Sequence, residues 1–518
     1  MNNKLQADTL PSPPTEKAQQ NSMFRNVGAN WLGHFVFIVG GFLLPRMIGD
    51  HLGQERLGVW DFGWATVSYL NLLTVGIASS VNRYVAKFRT TAQWTEMSKT
   101  VSCCACIFTG SAIAGLFITI ILVYILPWVA PPSFLPYLKE TRLLLLCLGL
   151  SVCIDLFIPT YVGVISGYQR YELLAIIEAT CYVLLMGCIV PVLLFGGSLA
   201  YLGALVLGMR IVEAFTKRLI ARKLCPQLII SPAFVTRKGL QTVFFFGSKT
   251  LLATAANMGL YQGNNILIAY FFGPAAVAVY ARSMALITHA NKLLFHYGRV
   301  FTPSASHFQA EGDYTSLRNL LLQGVQRGAL IALPLALILG ILGSSLLRIW
   351  MGTSYAEIPI LPVLALGHFF VLAQVGSFYA LMGLDQHGKP GLASFVCAVA
   401  SLTGSIIMVK FAHVGLLGVA VSVSLAVAVP YLTVIPWLAM GITGISLKKY
   451  LTESLLKPIL LCLPFIACLV GARLWAGPSD FSVLIFGLGF GGLGLITMYW
   501  IWVVPMAIKH QILGFIGR

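Results

Sequence analysis

The chain alternates long apolar segments with short polar ones from residue 24 almost to its end. Each apolar segment is long enough to cross about 30 Å of hydrocarbon, which takes about 20 residues of helix. Helices are the expected form because lipid offers the backbone no hydrogen-bond partner. The pattern therefore predicts fourteen membrane-spanning helices. They lie near residues 26–49, 58–85, 99–126, 141–167, 173–196, 200–220, 240–271, 275–301, 316–345, 357–384, 390–411, 416–439, 451–475 and 482–507.

The composition agrees with a membrane protein and excludes a soluble one. Hydrophobic residues make up 58% of the 518 residues and charged residues only 10%, against roughly 25% charged residues in a soluble domain. We assign the net charge of +17 to cytoplasmic loops beside anionic membrane lipid rather than to nucleic-acid binding. Most of the eleven cysteines lie in apolar runs, so we expect neither disulfides nor a metal site.

The distribution of basic residues predicts the orientation. An even number of spans places both termini on one side, and most of the 34 basic residues fall on the cytoplasmic side if the N-terminus is inside. The most basic loop follows the sixth span, and either sets topology and contacts lipid or binds a partner.

The predicted divisions are a disordered cytoplasmic tail (1–22), a lobe of six spans (23–220), a basic cytoplasmic linker (221–239), a second lobe of six spans (240–440) and a final pair of spans with a short cytoplasmic tail (441–518).

The two predicted lobes carry a weak internal repeat at an offset of about 220 residues. In residues 52–60 and again in 272–280, a Gly closes one long span, and a small, an apolar and an aromatic residue then open the next. A tight turn between closely packed helices favours the Gly. Internal repeats are common in transporters, whose substrate sites lie at the repeat interface. Shared helical composition is the alternative explanation.

Several short motifs follow one another along the chain. They are LLPR (43–46), LGQERLGVW (52–60), a Gly followed by NRYVA (76–86), GYQRY (167–171), IAYFFG and VYA (268–281), PSAS (303–306) and GLLGVA (415–420). Taken in order and spacing, these motifs resemble the polysaccharide-biosynthesis transporters of the multidrug/oligosaccharidyl-lipid/polysaccharide superfamily. The resemblance covers residues 24–440.

The resemblance implies a flippase that moves undecaprenyl-pyrophosphate-linked oligosaccharide of O-antigen, capsule or exopolysaccharide from the inner to the outer leaflet of the bacterial cytoplasmic membrane. It implies two six-helix lobes around a central cavity and alternating access. We also expect a monomer, a polysaccharide polymerase and a chain-length regulator as partners, and a proton or Na⁺ as coupling ion. Many relatives carry an acid near the end of the seventh span, where this chain has Asn264 and Asn265.

Cations inside the spans are the candidates for binding such a substrate. A charge at the bilayer centre costs at least about 2.5–3.5 kcal/mol, so a pyrophosphate needs a cationic cavity in its carrier. Arg282 and Arg299 alternatively extend their side chains to the two interfaces. The candidates are Arg46, Lys249, Arg282, Lys292 and Arg299.

Acids inside the spans are candidates for coupling transport to a proton or Na⁺. These are Asp61, Asp155 and Glu178, and each is alternatively the structural partner of a buried cation. Glu213 follows Arg210 by three residues on a helix, which predicts a local ion pair.

Two other functions remain open. A cation-coupled multidrug antiporter of the same superfamily needs acids in its cavity, whereas the buried charge of the second half is mostly positive. A membrane-embedded polysaccharide polymerase or ligase needs a large outer loop, whereas the longest predicted outer loops have about 12–14 residues. We therefore expect no enzyme. A Gly-rich phosphate loop ending in Lys-Ser/Thr is also missing from the sequence, so we expect no cofactor and no direct use of ATP.

Overall fold

The computed structural model describes residues 16–74, 77–241, 251–386, 388–475 and 479–503, together with residue 509. Nearly all of these residues are helical, and none of them belongs to a strand. The predicted fold class, an all-α multi-pass membrane protein, is therefore confirmed. The first helix begins at Glu16, inside the segment predicted as a tail, and residues 1–15 lie outside the described residues.

The helices before residue 225 follow the predicted spans, and the second and fourth spans each contain two α-helices. The fourth predicted span is divided after Phe157, because Pro159 lacks the amide hydrogen that would continue the helix. A 3₁₀ helix (Tyr69–Thr74) continues the second helix. The helices are α1 (Glu16–Leu52), α2 (Gln54–Ser68), α3 (Ala78–Thr90), α4 (Trp94–Val129), α5 (Leu138–Phe157), α6 (Pro159–Gly167), α7 (Tyr171–Leu194) and α8 (Leu199–Leu224).

The helices after residue 250 contain three π-helical turns, at Gly259–Gly263, Ile338–Leu342 and Thr452–Leu456. Each π turn takes an extra residue and so rotates the faces of the helix on either side of it. The helices are α9 (Leu251–Met258), α10 (Asn264–Phe272), α11 (Pro274–Gly298), α12 (Phe301–Glu311), α13 (Tyr314–Leu337), α14 (Gly343–Met351), α15 (Ile360–Ala373), α16 (Val375–Gly383), α17 (Gly388–Lys410), α18 (Leu416–Leu432), α19 (Val434–Thr443), α20 (Leu447–Leu451), α21 (Lys457–Trp475) and α22 (Asp480–Trp502).

Within the described residues, 11 helical segments are long and apolar enough to cross a membrane. They correspond to eleven of the fourteen predicted spans, so the count of fourteen is not confirmed. The three others are the predicted second, seventh and eighth spans. The second and seventh contain the undescribed residues 75–76 and 242–250, and the eighth, α11, carries Arg282 and Lys292 in its interior. The apolar side chains of the spans are widely exposed, as expected for a surface that faces lipid.

The chain forms two compact units that are discontinuous in sequence. The first comprises Met1–Met47, Leu70–Tyr124 and Arg142–Lys249. The second comprises Ile48–Tyr69, Ile125–Thr141 and Thr250–Arg518. The division into lobes at residues 221–239 stays a prediction.

Two turns of the second unit have the same geometry, at the positions of the predicted repeat. Gly53 and Gly273 both have positive φ (90° and 82°) with extended ψ, a conformation that glycine adopts without strain. Gly53 N–H donates to the Gly49 carbonyl, and Gly273 N–H to the Ala269 carbonyl, at 3.1 and 3.2 Å. The two turns are thus equivalent in backbone conformation and in hydrogen bonding.

The helices that follow these turns, α2 and α11, pack with their backbones in close contact. A Cβ atom added at Gly58 would lie 1.7 Å from the Pro274 carbonyl oxygen. The Gln54 amide also donates to the Ala275 carbonyl at 3.2 Å. Only glycine at position 58 permits this separation of the two helices.

We predict that Gly58→Ala lowers thermal stability. Replacing an exposed helical glycine by alanine gains up to about 1 kcal/mol in helix propensity. At position 58 that gain is exceeded by overpacking, which costs about 1–3 kcal/mol. The measurement is the apparent Tm of the purified protein in detergent. Gly187→Ala on α7 is the matched control, because its Cβ would meet nothing within 4 Å, and its Tm should not fall. Equal Tm changes in both variants would contradict the close contact.

Candidate functional site

A cavity of about 250 Å³ with polar groups lies in the second unit, lined by residues of α2, α10, α11 and the π turn before α10. Three of the residues selected from the sequence line it: Asp61, Arg282 and Lys292. The other lining residues are aromatic, amide, small or sulfur-containing. They are Trp64, Tyr261, Gln262, Asn265, Ala281, Met284, Ala285, Thr288 and His289.

A buried ion pair forms one wall of this cavity. Arg282 Nη2 on α11 donates to Asp61 Oδ1 on α2 at 2.5 Å. The side chains are only 6% and 11% exposed. Since a buried charge without a partner is strongly destabilising, each side chain makes the ionised form of the other tolerable inside the protein. Asp61 is thus the structural partner of a buried cation, one of the two alternatives predicted for it, and it also lines the cavity. A role of Asp61 in ion coupling stays a prediction.

The ion pair leaves some buried polar atoms of the cavity lining without a hydrogen bond. Asp61 Oδ2, Arg282 Nε and Arg282 Nη1 are buried and have no hydrogen-bond partner within the part of the chain that the structure describes. The Oδ1 atom of Asn265, another lining residue, is in the same state. Buried polar atoms of native proteins normally have a partner, supplied by protein, water or ligand. The cavity is therefore suited to a polar occupant.

Lys292 makes the cavity cationic. It lies on α11, ten residues after Arg282, and its side chain is exposed. No ion pair joins Lys292 to any acid among the described residues. Because Asp61 and Arg282 neutralise each other, the ammonium group of Lys292 is the excess charge of the lining.

The π turn at Gly259–Gly263 positions the amide and aromatic groups. Tyr261 and Gln262 belong to this turn, and Asn265 Nδ2 donates to Gln262 Oε1 at 3.4 Å. π turns are rare and frequently occur at functional sites. Amides that hydrogen-bond and aromatic rings that present flat apolar faces together suit a carbohydrate, so this wall complements the cationic one.

Asn264 and Asn265, adjacent in sequence, have different surroundings. Asn264 is fully buried, and its amide donates to the Leu260 carbonyl and to Ser401 Oγ at 2.7 and 3.0 Å. Ser405 donates in turn to Asn264 Oδ1 at 2.9 Å. Asn264 thus connects its helix to α17, while Asn265 faces the cavity.

The other predicted cations are not brought to this cavity. Arg46 lies in α1, half-buried, and belongs to the first unit. Arg299 is exposed at the C-terminal end of α11 and is not among the lining residues. Lys249 lies outside the described residues.

A five-residue charge network lies in the first unit and includes the two other predicted acids. Asp155 on α5 contacts Arg210 Nε at 3.5 Å, and Arg210 Nη1 donates to Glu213 at 2.8 Å, which is the local pair predicted from their spacing. Lys217 on the same helix, α8, donates to both Glu213 and Glu178 at 2.7 Å. Three carboxylates therefore share two cations.

Lys217 corrects an expectation from the sequence. The basic residues from Lys217 onward are expected in the cytoplasmic loop after the sixth span, but α8 continues to Leu224 and the Lys217 side chain is only 4% exposed. Its ammonium group is buried because two carboxylates surround it. In the sequence, the spacing of four residues between Glu213 and Lys217 on one helix indicates such an ion pair.

Comparisons with known proteins bear on both units. The chain matches the family model described as "Polysaccharide biosynthesis protein" over residues 89–359. A protein of Shigella flexneri named "Putative O-antigen transporter" is 24% identical over 417 residues, which cover 77% of this chain and 95% of that protein.

Two solved structures share the fold. The lipid II flippase MurJ in an inward closed conformation matches with a TM-score of 0.67 at 13% identity, covering 92% of this chain and 98% of that one. An inward-facing multidrug resistance MATE family transporter of the MOP superfamily matches with a TM-score of 0.63 at 15% identity, covering 78% and 94%. At these identities the matches establish the fold alone.

We predict that Asp61→Asn and Arg282→Gln are each strongly destabilising, and that their effects are not additive. Each single change leaves a buried charge without its partner, which costs about 3–5 kcal/mol, whereas the double variant leaves none. The free energy of unfolding of all four proteins in detergent completes the double-mutant cycle. Lys99→Gln, which breaks an exposed pair with Glu96, should change stability by less than about 1 kcal/mol. Additive losses in the cycle would contradict the pairing.

Proposed function

The chain belongs to the polysaccharide biosynthesis protein family, and on that premise we propose that it is a lipid-linked oligosaccharide flippase. Its substrate is an undecaprenyl-pyrophosphate-linked unit of O-antigen, capsule or exopolysaccharide, moved from the inner to the outer leaflet of the bacterial cytoplasmic membrane by alternating access. The observation that carries the proposal is the cationic, amide-lined cavity of the second unit. The name of the Shigella flexneri relative and the fold shared with a lipid II flippase support this class of substrate.

The cavity supplies groups that lower the free-energy cost of bringing a pyrophosphate into the membrane. Phosphate oxygens are acceptors only, and they match the donors that the ion pair leaves open, Arg282 Nε and Nη1. Lys292 adds a mobile ammonium group that forms a further charge-assisted bond. Contacts of this kind replace the water that the headgroup loses, and so lower the cost of bringing its charge into the membrane.

The size of the cavity limits what it holds. Its volume of about 250 Å³ is below the range of about 300–1,000 Å³ that is typical of ligand pockets. We therefore assign to it the pyrophosphate and the first sugar, with the sugar against Trp64 and Tyr261 and its hydroxyls on Gln262 and Asn265. The rest of the oligosaccharide and the lipid tail lie outside it.

The charge of the cavity disfavours a multidrug antiporter. An antiporter for cationic drugs requires a carboxylate that is available to the drug. Among the described residues that line this cavity, Asp61 is the only carboxylate, and Arg282 neutralises it. The unpaired charge belongs to Lys292 and repels a cation.

We predict that Lys292→Gln impairs export of the lipid-linked glycan. Loss of one charge-assisted hydrogen bond costs about 1.5–3 kcal/mol, which corresponds to an affinity lower by about 10- to 100-fold. The measurement is the fraction of lipid-linked oligosaccharide accessible to an outer-leaflet label, in cells that lack the native gene and express each variant. The Gln variant should accumulate the intermediate on the inner leaflet, and Lys292→Arg should restore most export.

Arg299→Gln is the matched control for Lys292→Gln. Arg299 is an exposed cation at the C-terminal end of α11, seven residues after Lys292, but it does not line the cavity. Its variant should therefore export normally at equal membrane abundance. Equal export by both variants would argue against the cationic cavity. Normal surface glycan in cells without the gene, together with altered sensitivity to cationic dyes, would favour the antiporter.

The network of the first unit supports a coupling role for the same transport cycle, and we assign the exchangeable proton to Asp155. With all five groups ionised, one negative charge has no counter-charge within the spans, which is unfavourable in hydrocarbon. Binding one proton removes it. Asp155 has the longest contact, 3.5 Å to Arg210, whereas Glu213 and Glu178 are held at 2.7–2.8 Å.

We predict that Asp155→Asn uncouples transport from the proton gradient. The neutral amide keeps position 155 uncharged, as protonation of Asp155 would. Lipid flipping in proteoliposomes should therefore no longer accelerate when a pH gradient is imposed. Glu96→Gln, at an exposed acid outside the network, should respond as the native protein does. A full response to the pH gradient by Asp155→Asn would refute the assignment, and a response of the native protein to a Na⁺ gradient alone would identify Na⁺ as the coupling ion.

A further inference from the structure

A second, larger cavity of about 630 Å³ lies between three long helices of the second unit, α13, α21 and α22. It shares no lining residue with the cavity around Arg282 and Lys292. Nothing in the proposed transport cycle uses it. Its walls are nevertheless chemically organised, with charged and amide groups at one end and aliphatic groups at the other.

The polar end carries residues of the kinds that are typical of the edge of the hydrocarbon. Arg327 is the last charged residue of α13 before the apolar run that starts at Gly328. Lys457 is the first residue of α21, and Trp502 is the last residue of α22. Cationic and indole side chains at helix positions of this kind mark the membrane–water interface. The orientation predicted from the basic residues makes this the cytoplasmic interface.

The apolar end follows one turn deeper along two of the helices. Leu330 comes three residues after Arg327 on α13, and Leu461 four residues after Lys457 on α21, and both line the cavity. Residues three or four apart lie on the same helix face. Each helix therefore presents a cation and then a leucine in the direction of the membrane interior. This order matches an amphiphile, with its head at the interface and its chain in the hydrocarbon.

The charges of the recess match a single negative charge. Lys457 already pairs with Glu453, one turn earlier. Arg327 is exposed and forms no ion pair with any residue that the structure describes, and the lining contains no acid. The amides of Gln323 and Gln326, which precede Arg327 on α13, also line the recess and add neutral donors. The net excess is one positive charge.

We propose that this recess is a binding site for an anionic phospholipid of the cytoplasmic leaflet. The phosphodiester accepts hydrogen bonds from Arg327 and from the Gln323 and Gln326 amides, with Lys457 beside it, and an acyl chain lies along Leu330 and Leu461. Basic pockets between membrane helices on the cytoplasmic side recognise lipid headgroups by this chemistry. One unpaired guanidinium balances the single charge of a phosphodiester. A pyrophosphate, which carries more charge, would leave part of its charge unbalanced.

The test is lipid binding by the purified, delipidated full-length protein, measured by native mass spectrometry with phosphatidylglycerol and with zwitterionic phosphatidylcholine as probes. We expect one phosphatidylglycerol to bind the native protein in preference to phosphatidylcholine. Arg327→Gln should weaken phosphatidylglycerol binding at least about tenfold, since a charge-assisted bond is lost. Leu461→Trp, which fills the recess without changing charge, should weaken both lipids. Arg327 is exposed and Leu461 is partly exposed, and size-exclusion chromatography checks that both variants remain folded.

Lys448→Gln is the matched control, because Lys448 is an exposed cation of α20 on the same predicted side but does not line the recess. Equal losses in Lys448→Gln and Arg327→Gln would overturn the site in favour of diffuse surface attraction. Displacement of phosphatidylglycerol by an undecaprenyl pyrophosphate at one-to-one stoichiometry would overturn it in favour of the transported lipid. Unchanged binding by Leu461→Trp would also overturn it, because the chain would then lie elsewhere.

Discussion

A charged group inside hydrocarbon must find its counter-charge within the protein, and the arrangement of polar groups in both units follows from this constraint. The cost of an isolated charge at the bilayer centre is at least about 2.5–3.5 kcal/mol, a large fraction of the stability of most proteins. In the second unit Arg282 therefore lies against Asp61, and in the first Lys217 lies between two carboxylates. Neither cation is free to extend to an interface, because its partner is on a neighbouring helix or one turn away.

The two units satisfy the constraint but are left with excess charges of opposite sign. The cavity lining of the second unit keeps the positive charge of Lys292, and the network of the first unit keeps one negative charge. An excess positive charge suits an anionic headgroup, and an excess negative charge suits a small cation such as a proton. In the proposed function, substrate binding and ion binding therefore fall to different units, and the charge of each unit changes when its ligand binds.

The ion pair of the second unit depends on backbone packing that precedes it in the chain. Gly58 brings α2 against the start of α11, and Asp61 follows Gly58 by one helical turn. The two helices begin at glycine turns of the same conformation, so their first turns are aligned when the backbones meet. A side chain at position 58 would separate the helices and lengthen the 2.5 Å contact between Arg282 and Asp61 on which the cavity wall depends.

The sequence by itself determined the fold class, the position of most spans, the two glycine turns and the local pair of Arg210 with Glu213. Each of these depends on spacing within one helix or one turn, where neighbours in sequence are neighbours in space. Tertiary structure decided the partnership of Asp61 with Arg282, 221 residues apart, and the burial of Lys217. It also decided that Asn264 bonds to α17 while Asn265 lines the cavity, because the π turn before them sets which face of the helix each one occupies. Contacts of this kind depend on how separate helices pack and rotate, which hydrophobic periodicity leaves undetermined.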